Sequence, residues 1–75
     1  MEKSMNEIVF VVEESPEGGY IAQALGVSIV TEADTMDALK SSVIDAVECH
    51  FSDRKDPPKL IRLHFVKDEV ISIAA

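Results

Sequence analysis

The chain has 75 residues, 47% of them hydrophobic, and a net charge of −7 from 14 acidic and seven basic side chains. A chain this short buries only about 60% of its unfolded surface, so residues 1–75 are predicted to form one domain that depends on association. The acidic excess argues against direct binding to nucleic-acid phosphates. No apolar run reaches the roughly 18 residues of a membrane-spanning helix, and no signal-peptide pattern begins the chain, so we expect a cytoplasmic protein without membrane contact.

The charge is unevenly distributed along the chain. Residues 1–52 contain ten acidic and two basic side chains, whereas residues 53–75 contain four acidic and five basic ones. The single cysteine, Cys49, excludes an intramolecular disulfide and fits a reducing compartment. The acidic first two thirds of the chain favour a basic partner or simple solubility.

Residues 7–25 are typical of two antiparallel strands joined by a polar turn. The strands, about 7–14 and 19–25, are rich in β-branched and apolar residues. Between them Pro16 presets a turn φ angle, and Gly18 and Gly19 accept positive φ without a Cβ clash. The turn is therefore expected to set the register of the hairpin.

The first strand is apolar on both faces. Ile8, Phe10 and Val12 alternate with Val9 and Val11. This pattern predicts a sheet covered by a helix on one side and by another subunit on the other. A β-branched preference on a partly exposed face explains the pattern equally well, and the sequence leaves both interpretations open.

A turn at Gly26 leads to a predicted third strand, about 27–32, in a meander. Thr35 is the expected N-cap of a helix over about 36–51. The small alanines of the second strand would let this helix approach closely. The apolar side chains of one helical stripe are Leu39, Val43, Ala46, Val47 and His50. Ile44 and Phe51 lie off this stripe, and we expect them to broaden the core face.

Pro57 and Pro58 end the helical region, and a fourth strand follows over about 60–66. Residues 70–73 either fold back as a fifth strand or extend toward a neighbouring chain, and the sequence does not decide between these. The predicted fold class is α+β: an antiparallel β-meander with one helix packed across it, in the order β-β-β-α-β.

The ionisable residues predict no catalytic residue, metal site or cofactor. Cys49 and His50 lie about 100° apart on a helix, so we interpret them as a core thiol beside a part-buried imidazole. His50 and His64 could meet across the helix and sheet layers, but two histidines without a clustered third ligand do not indicate a metal site. Carboxylate pairs at 13–14 and 68–69 flank turns, where solvated charge is the ordinary explanation. The glycine pair precedes no helix and so is not a phosphate loop.

The polar turn and the helix start together resemble the N-terminal domain of the HicB antitoxin family. The resemblance covers roughly residues 7–52 and depends on the order and spacing of modest motifs. These are an acidic turn at 13–17, Gly18-Gly19-Tyr20, Ala33-Asp34-Thr35 where the family usually has glycine before the aspartate, and Ala38-Leu39. The segment 61–66 also resembles short solitary HicB-like proteins.

The resemblance implies a degraded RNase H-like or double-stranded-RNA-binding-like fold that docks on a small basic toxin of the HicA type. It implies no enzymatic activity, and the acidic partner-binding residues would be Glu13, Glu14, Glu17 and Glu32. The chain shows no helices after residue 66 for a C-terminal DNA-binding module, so DNA binding is not expected. The alternatives are an orphan structural homo-oligomer, dimer or tetramer, without a toxin partner, and an RNA-binding module.

Overall fold

The computed structural model describes residues 7–67 and 69–74, which form a four-stranded sheet with one helix on one face. The elements in chain order are β1 (Glu7–Glu14), β2 (Tyr20–Ala24), β3 (Val30–Ala33), α1 (Met36–His50) and β4 (Leu60–Phe65). The α+β class and the order β-β-β-α-β predicted from the sequence are confirmed. No helix of the described residues combines the length and apolar character that crossing a membrane requires.

The strands lie in the order β3-β2-β1-β4. β1, β2 and β3 pair antiparallel as a meander, whereas β4 pairs parallel to β1. β3 and β4 therefore run in the same direction at opposite edges of the sheet, and the chain has to cross one face of the sheet to connect them. α1 makes this crossover, as parallel connections require. The parallel pairing of β4 with β1 was not predicted from the sequence.

The polar turn between β1 and β2 has the conformation that its glycines predict. Gly18 and Gly19 have φ angles of 101° and 85°. The Ser15 N–H donates to the Gly19 carbonyl oxygen at 2.9 Å, and the Gly18 N–H donates to that of Ser15 at 3.0 Å. The resulting register pairs Glu14 with Tyr20 and Phe10 with Ala24.

The third strand begins later than predicted, at Val30. Gly26 has a φ of 87°, and the Ile29 N–H donates to the Val27 carbonyl oxygen at 3.1 Å, a bond that spans only two residues. So tight a turn prevents extended pairing before Val30. It also directs the Ile29 side chain into the core, where it is buried.

The helix begins at the predicted cap. The Ala38 N–H donates to the Thr35 side-chain oxygen at 3.1 Å, and Asp37 places a carboxylate in the first turn, where the helix dipole favours it. Leu39, Val43 and Val47 form the buried face. The helix ends at His50 with Phe51 as its C-cap, one residue before the predicted end.

The core lies between this helical face and the centre of the sheet. Phe10, Val12, Leu39 and Val43 are the largest fully buried side chains. Ala22 and Ala24 of β2 are also buried, and α1 contacts β2 and β3, so the expectation that small alanines admit the helix is confirmed. The helix side of β4 receives less cover.

The expectation that Ile44 and Phe51 broaden the core face holds only for Phe51, and the expectation that His50 belongs to the buried stripe is wrong. Phe51 packs against the core as expected, but Ile44 is 48% exposed because it lies on the outer side of α1. His50 is exposed although it falls on the apolar stripe. Its ring instead makes an edge contact with Phe51, with ring centroids 4.9 Å apart, and the Arg54 guanidinium lies 5.3 Å from the same Phe51 ring.

Candidate protein-binding surface

The face of the sheet opposite α1, here called the open face, carries the candidate site. Successive strand residues point to opposite faces, and paired residues share a face, so the register identifies its members. They are Glu7, Val9, Val11, Glu13, Ile21, Gln23, Val30, Glu32, Leu60, Arg62 and His64. Because α1 occupies the other face, no helix of the described residues covers this one.

The centre of the open face is apolar. Val9, Val11 and Ile21 are half-buried by their neighbours in the sheet. At the margin Val30 and Leu60 are 64% and 61% exposed. The two-sided apolar pattern of β1 thus corresponds to one face packed on the helix and one face left open.

Carboxylates flank this apolar centre at the end of the sheet next to the β1–β2 turn. Glu13 of β1 pairs with Ile21 of β2, and Ile21 pairs in turn with Glu32 of β3. The register therefore places two exposed carboxylates on either side of one apolar side chain. We call Glu13, Ile21 and Glu32 the acidic row.

The other predicted partner-binding residues lie near the row but not in it. Glu17 is in the turn and lines one shallow cleft together with Glu32 and Asp34. Glu14 pairs with Tyr20 and points to the helix side of the sheet. The structure thus brings Glu13 and Glu32 onto one face, places Glu17 beside Glu32, and separates Glu14 from them.

Cationic side chains do little to offset this charge on the open face. Among its members in the described chain, Arg62 is the one lysine or arginine, and its Nε donates to the Glu7 carboxylate. That hydrogen bond, and the charge of Glu7, raise the pKa of the Arg62 guanidinium above its already high usual value. Near the turn, Lys67 lines a second cleft with Glu13 and Glu14.

The predicted core thiol is wrong, because Cys49 is exposed. It lies two residues after the buried Val47, which is about 200° around the helix and hence on the outer side. His64 belongs to the open face and His50 to the helix on the other side, so the sheet separates the two imidazoles. Among residues 7–67 and 69–74 no group of three or more His, Cys, Asp or Glu side chains is arranged to hold a metal ion.

Sequence reasoning missed the alignment of Glu13 with Glu32. Asp34 near Glu17 was also not named as a site residue. The alternation of β3 indicates which face of that strand carries Glu32. The alignment of Glu32 with Glu13 follows only when the register of β2 with both neighbours is known. A two-residue shift of either strand would have separated the carboxylates.

The fold and the open face together define a small α+β protein with a mixed sheet and one crossover helix. No family model and no solved structure matches the chain. The chain is 41% identical over 71 residues to a UPF0150 protein of Thermotoga maritima, covering 95% of this chain and 99% of that protein. It is 46% identical over 55 residues to a UPF0150 protein of Archaeoglobus fulgidus, covering 73% of this chain and 82% of that protein. The chain belongs to the UPF0150 family.

Proposed function

We propose that the chain is a non-enzymatic, HicB-like protein-binding module whose acidic row receives a small basic protein of the HicA toxin type. The observation that carries the proposal is the row itself. Glu13 and Glu32 present two exposed carboxylates on either side of Ile21, on a face that no helix of the described residues covers.

The surroundings of the row suit a protein partner. A protein interface combines an apolar centre, which is removed from water, with a polar rim, which orients the partner. Val11 and Ile21 supply the apolar part, and the carboxylates supply a rim of one sign. Because the first 52 residues carry most of the negative charge, a basic partner would also be attracted before contact, and salt would weaken that attraction.

A second candidate function, a structural homo-oligomer without a toxin partner, is supported by a different part of the same face. Val30 and Leu60 are exposed on the open face at its two edge strands, β3 and β4, and neither belongs to the acidic row, although Val30 neighbours Glu32 on β3. Two copies that joined through these residues would bury them without using Glu13 or Glu32. Such an assembly would be insensitive to salt, since apolar contacts are not screened.

RNA binding receives less support from the open face. Binding of single strands without sequence preference uses a positively charged groove and aromatic side chains on which bases stack. The open face has one arginine, which is paired with Glu7, and its members in the described chain include no Phe, Tyr or Trp.

The experiment is calorimetric titration of the full chain with a purified HicA-type toxin at low and at physiological salt. The variant Glu13→Lys/Glu32→Lys is expected to lower the affinity at least about tenfold, which is about 1.4 kcal/mol. Asp45→Lys/Glu48→Lys is the matched control, because it makes the same change in net charge on exposed residues of α1.

The two variants separate a local contact from a general charge effect. If both pairs of substitutions lower the toxin affinity equally, the acidic row is not the specific contact. If Glu13→Lys/Glu32→Lys leaves the affinity unchanged, the proposed contact is wrong. Glu14→Lys tests the face, since Glu14 points to the helix side and its reversal should cost less than that of Glu13. Circular dichroism of each variant verifies that the domain remains folded.

A further inference from the structure

After β4 the chain continues into a mostly apolar segment whose large side chains are exposed. The Val66 N–H donates to the Val12 carbonyl oxygen at 2.9 Å, so the β4–β1 ladder continues one residue beyond β4. Residues 69–74, here called the C-terminal segment, then lie outside any helix or strand. In this segment Val70, Ile71 and Ile73 are 93%, 78% and 92% exposed.

The exposed apolar surface of the described chain is concentrated at this end. Of nine large hydrophobic side chains that are exposed, five lie between residues 65 and 73. They are Phe65, Val66, Val70, Ile71 and Ile73. Exposed apolar side chains that are concentrated in one part of a chain often mark a contact with another molecule.

The outer edge of β4 is a suitable partner for this segment. β4 is an edge strand of the sheet, with β1 on one side and no strand of the described residues on the other. The outer edge of β4 therefore presents backbone N–H and C=O groups to any strand that can pair with them. An unpaired apolar segment and an open strand edge thus follow each other directly in the sequence.

Folding back of the segment onto its own β4 is disfavoured by the residues that would form the turn. A three-residue hairpin loop ordinarily ends in a residue with left-handed backbone conformation, a position that favours glycine. The connection here is Lys67-Asp68-Glu69, without glycine or asparagine. A second copy, which needs no turn, meets the same edge without this cost.

We propose that two copies pair through β4 and the C-terminal segment, so that the segment of each copy adds as an antiparallel strand to the outer edge of β4 of the other. A two-fold axis relates the copies, as in most homodimers, and the two four-stranded sheets become continuous. The occupant of the β4 edge is therefore a second copy of this chain. This inference does not depend on the acidic row.

One register satisfies both the apolar and the charged residues. With the axis at position 68, Phe65 faces Ile71 of the second copy, and Leu63 faces its Ile73. In the same register Lys67 faces Glu69 of the second copy, and this ion pair occurs twice. Cross-strand apolar pairs and opposite charges are the contacts that stabilise antiparallel strands.

Neighbouring registers lack this agreement. Moving the axis by one position toward the N-terminus places Lys67 against Lys67, and moving it one position the other way places Glu69 against Glu69. A half-position shift toward the N-terminus pairs odd-numbered with even-numbered residues, so that Ile71 would oppose His64.

The first test is the mass of the assembly, measured by light scattering on the full chain over a range of micromolar concentrations. Ile71→Asp/Ile73→Asp is expected to halve the assembled mass or raise the dissociation constant at least tenfold. Ile44→Asp is the control, because Ile44 is also exposed but lies on α1. A monomeric wild type, or an unchanged mass in the double variant, would overturn the proposal.

The second test addresses the register by charge exchange. Lys67→Glu and Glu69→Lys each place like charges opposite one another and should weaken the assembly, whereas the double variant Lys67→Glu/Glu69→Lys should restore it. If the double variant loses as much association free energy as the two single variants together, the register is contradicted.

The third test distinguishes exchange between copies from folding back. Val66 and Val70 face each other across the axis, so oxidised Val66→Cys/Val70→Cys, made with Cys49→Ser, should form a covalent dimer. An internal disulfide in a monomer would instead show that the segment folds onto its own strand. Because the segment lies outside the core, these variants should keep the circular dichroism spectrum of the wild type.

Discussion

Gly19 and Ala33 approach so closely that a Cβ atom on Gly19 would lie 2.6 Å from the Ala33 carbonyl oxygen. The contact links the turn after β1 to the last residue of β3, two positions before the Thr35 cap of α1. The same missing Cβ would lie 3.2 Å from the Asp34 Cα. The turn therefore helps to position the start of the helix, a role beyond the positive φ that the sequence indicated.

Gly18 and Gly19 offer a matched pair for testing this contact. Gly18→Ala introduces strain only through its positive φ, since a Cβ atom there would meet no other atom within 4 Å, and it should cost about 1–3 kcal/mol. Gly19→Ala carries a similar strain and also a backbone overlap, so its loss of unfolding free energy should be larger. Urea denaturation of both variants measures the difference. Equal losses would contradict the contact with Ala33.

The exposed thiol of Cys49 gives a second prediction. Cys49 lies on the outer side of α1, so a thiol reagent should modify it in the native protein at a rate close to that of a free thiol. Cys49→Ser should change the unfolding free energy by no more than about 0.5 kcal/mol, as expected for an exposed site. Slow labelling that accelerates only in denaturant would show that the thiol is protected after all.

The third prediction concerns nucleic acid. The chain should not be retained on immobilised RNA even at low salt, because its net charge is −7 and the open-face arginine is paired with Glu7. Arg62→Ala should make no difference to this result. Retention that decreases steeply with added salt would support the RNA-binding alternative against the protein-binding proposal.

Local features were predictable from sequence to the extent that a few neighbouring residues determine them. β1 has the predicted bounds, because its β-branched run stops at a polar turn. Thr35 caps the helix as predicted, because its side chain accepts a hydrogen bond from the N–H only three residues later. The start of β3 was missed, since the tight bond between Val27 and Ile29 leaves no clear compositional signal.

Features that depend on distant residues were not predictable in the same way. Helical periodicity gives the angle of His50 around the axis, but not whether anything packs against that end of the helix. The acidic row required the register of three strands, although each glutamate was identified singly. The parallel place of β4 required the path of the crossover helix over β2 and β3, which no local pattern specifies.

The parallel pairing of β1 with β4 has a consequence for how the protein folds. β1 is central in the sheet, yet one of its two partners is β4, the last strand of the described residues. The pairs run from Glu7 with Leu60 to Val12 with Phe65. Closing so long a loop is entropically costly, and non-local pairing slows folding. The hairpin and helix can form as the chain is synthesised, but the sheet is completed only once residue 65 has left the ribosome.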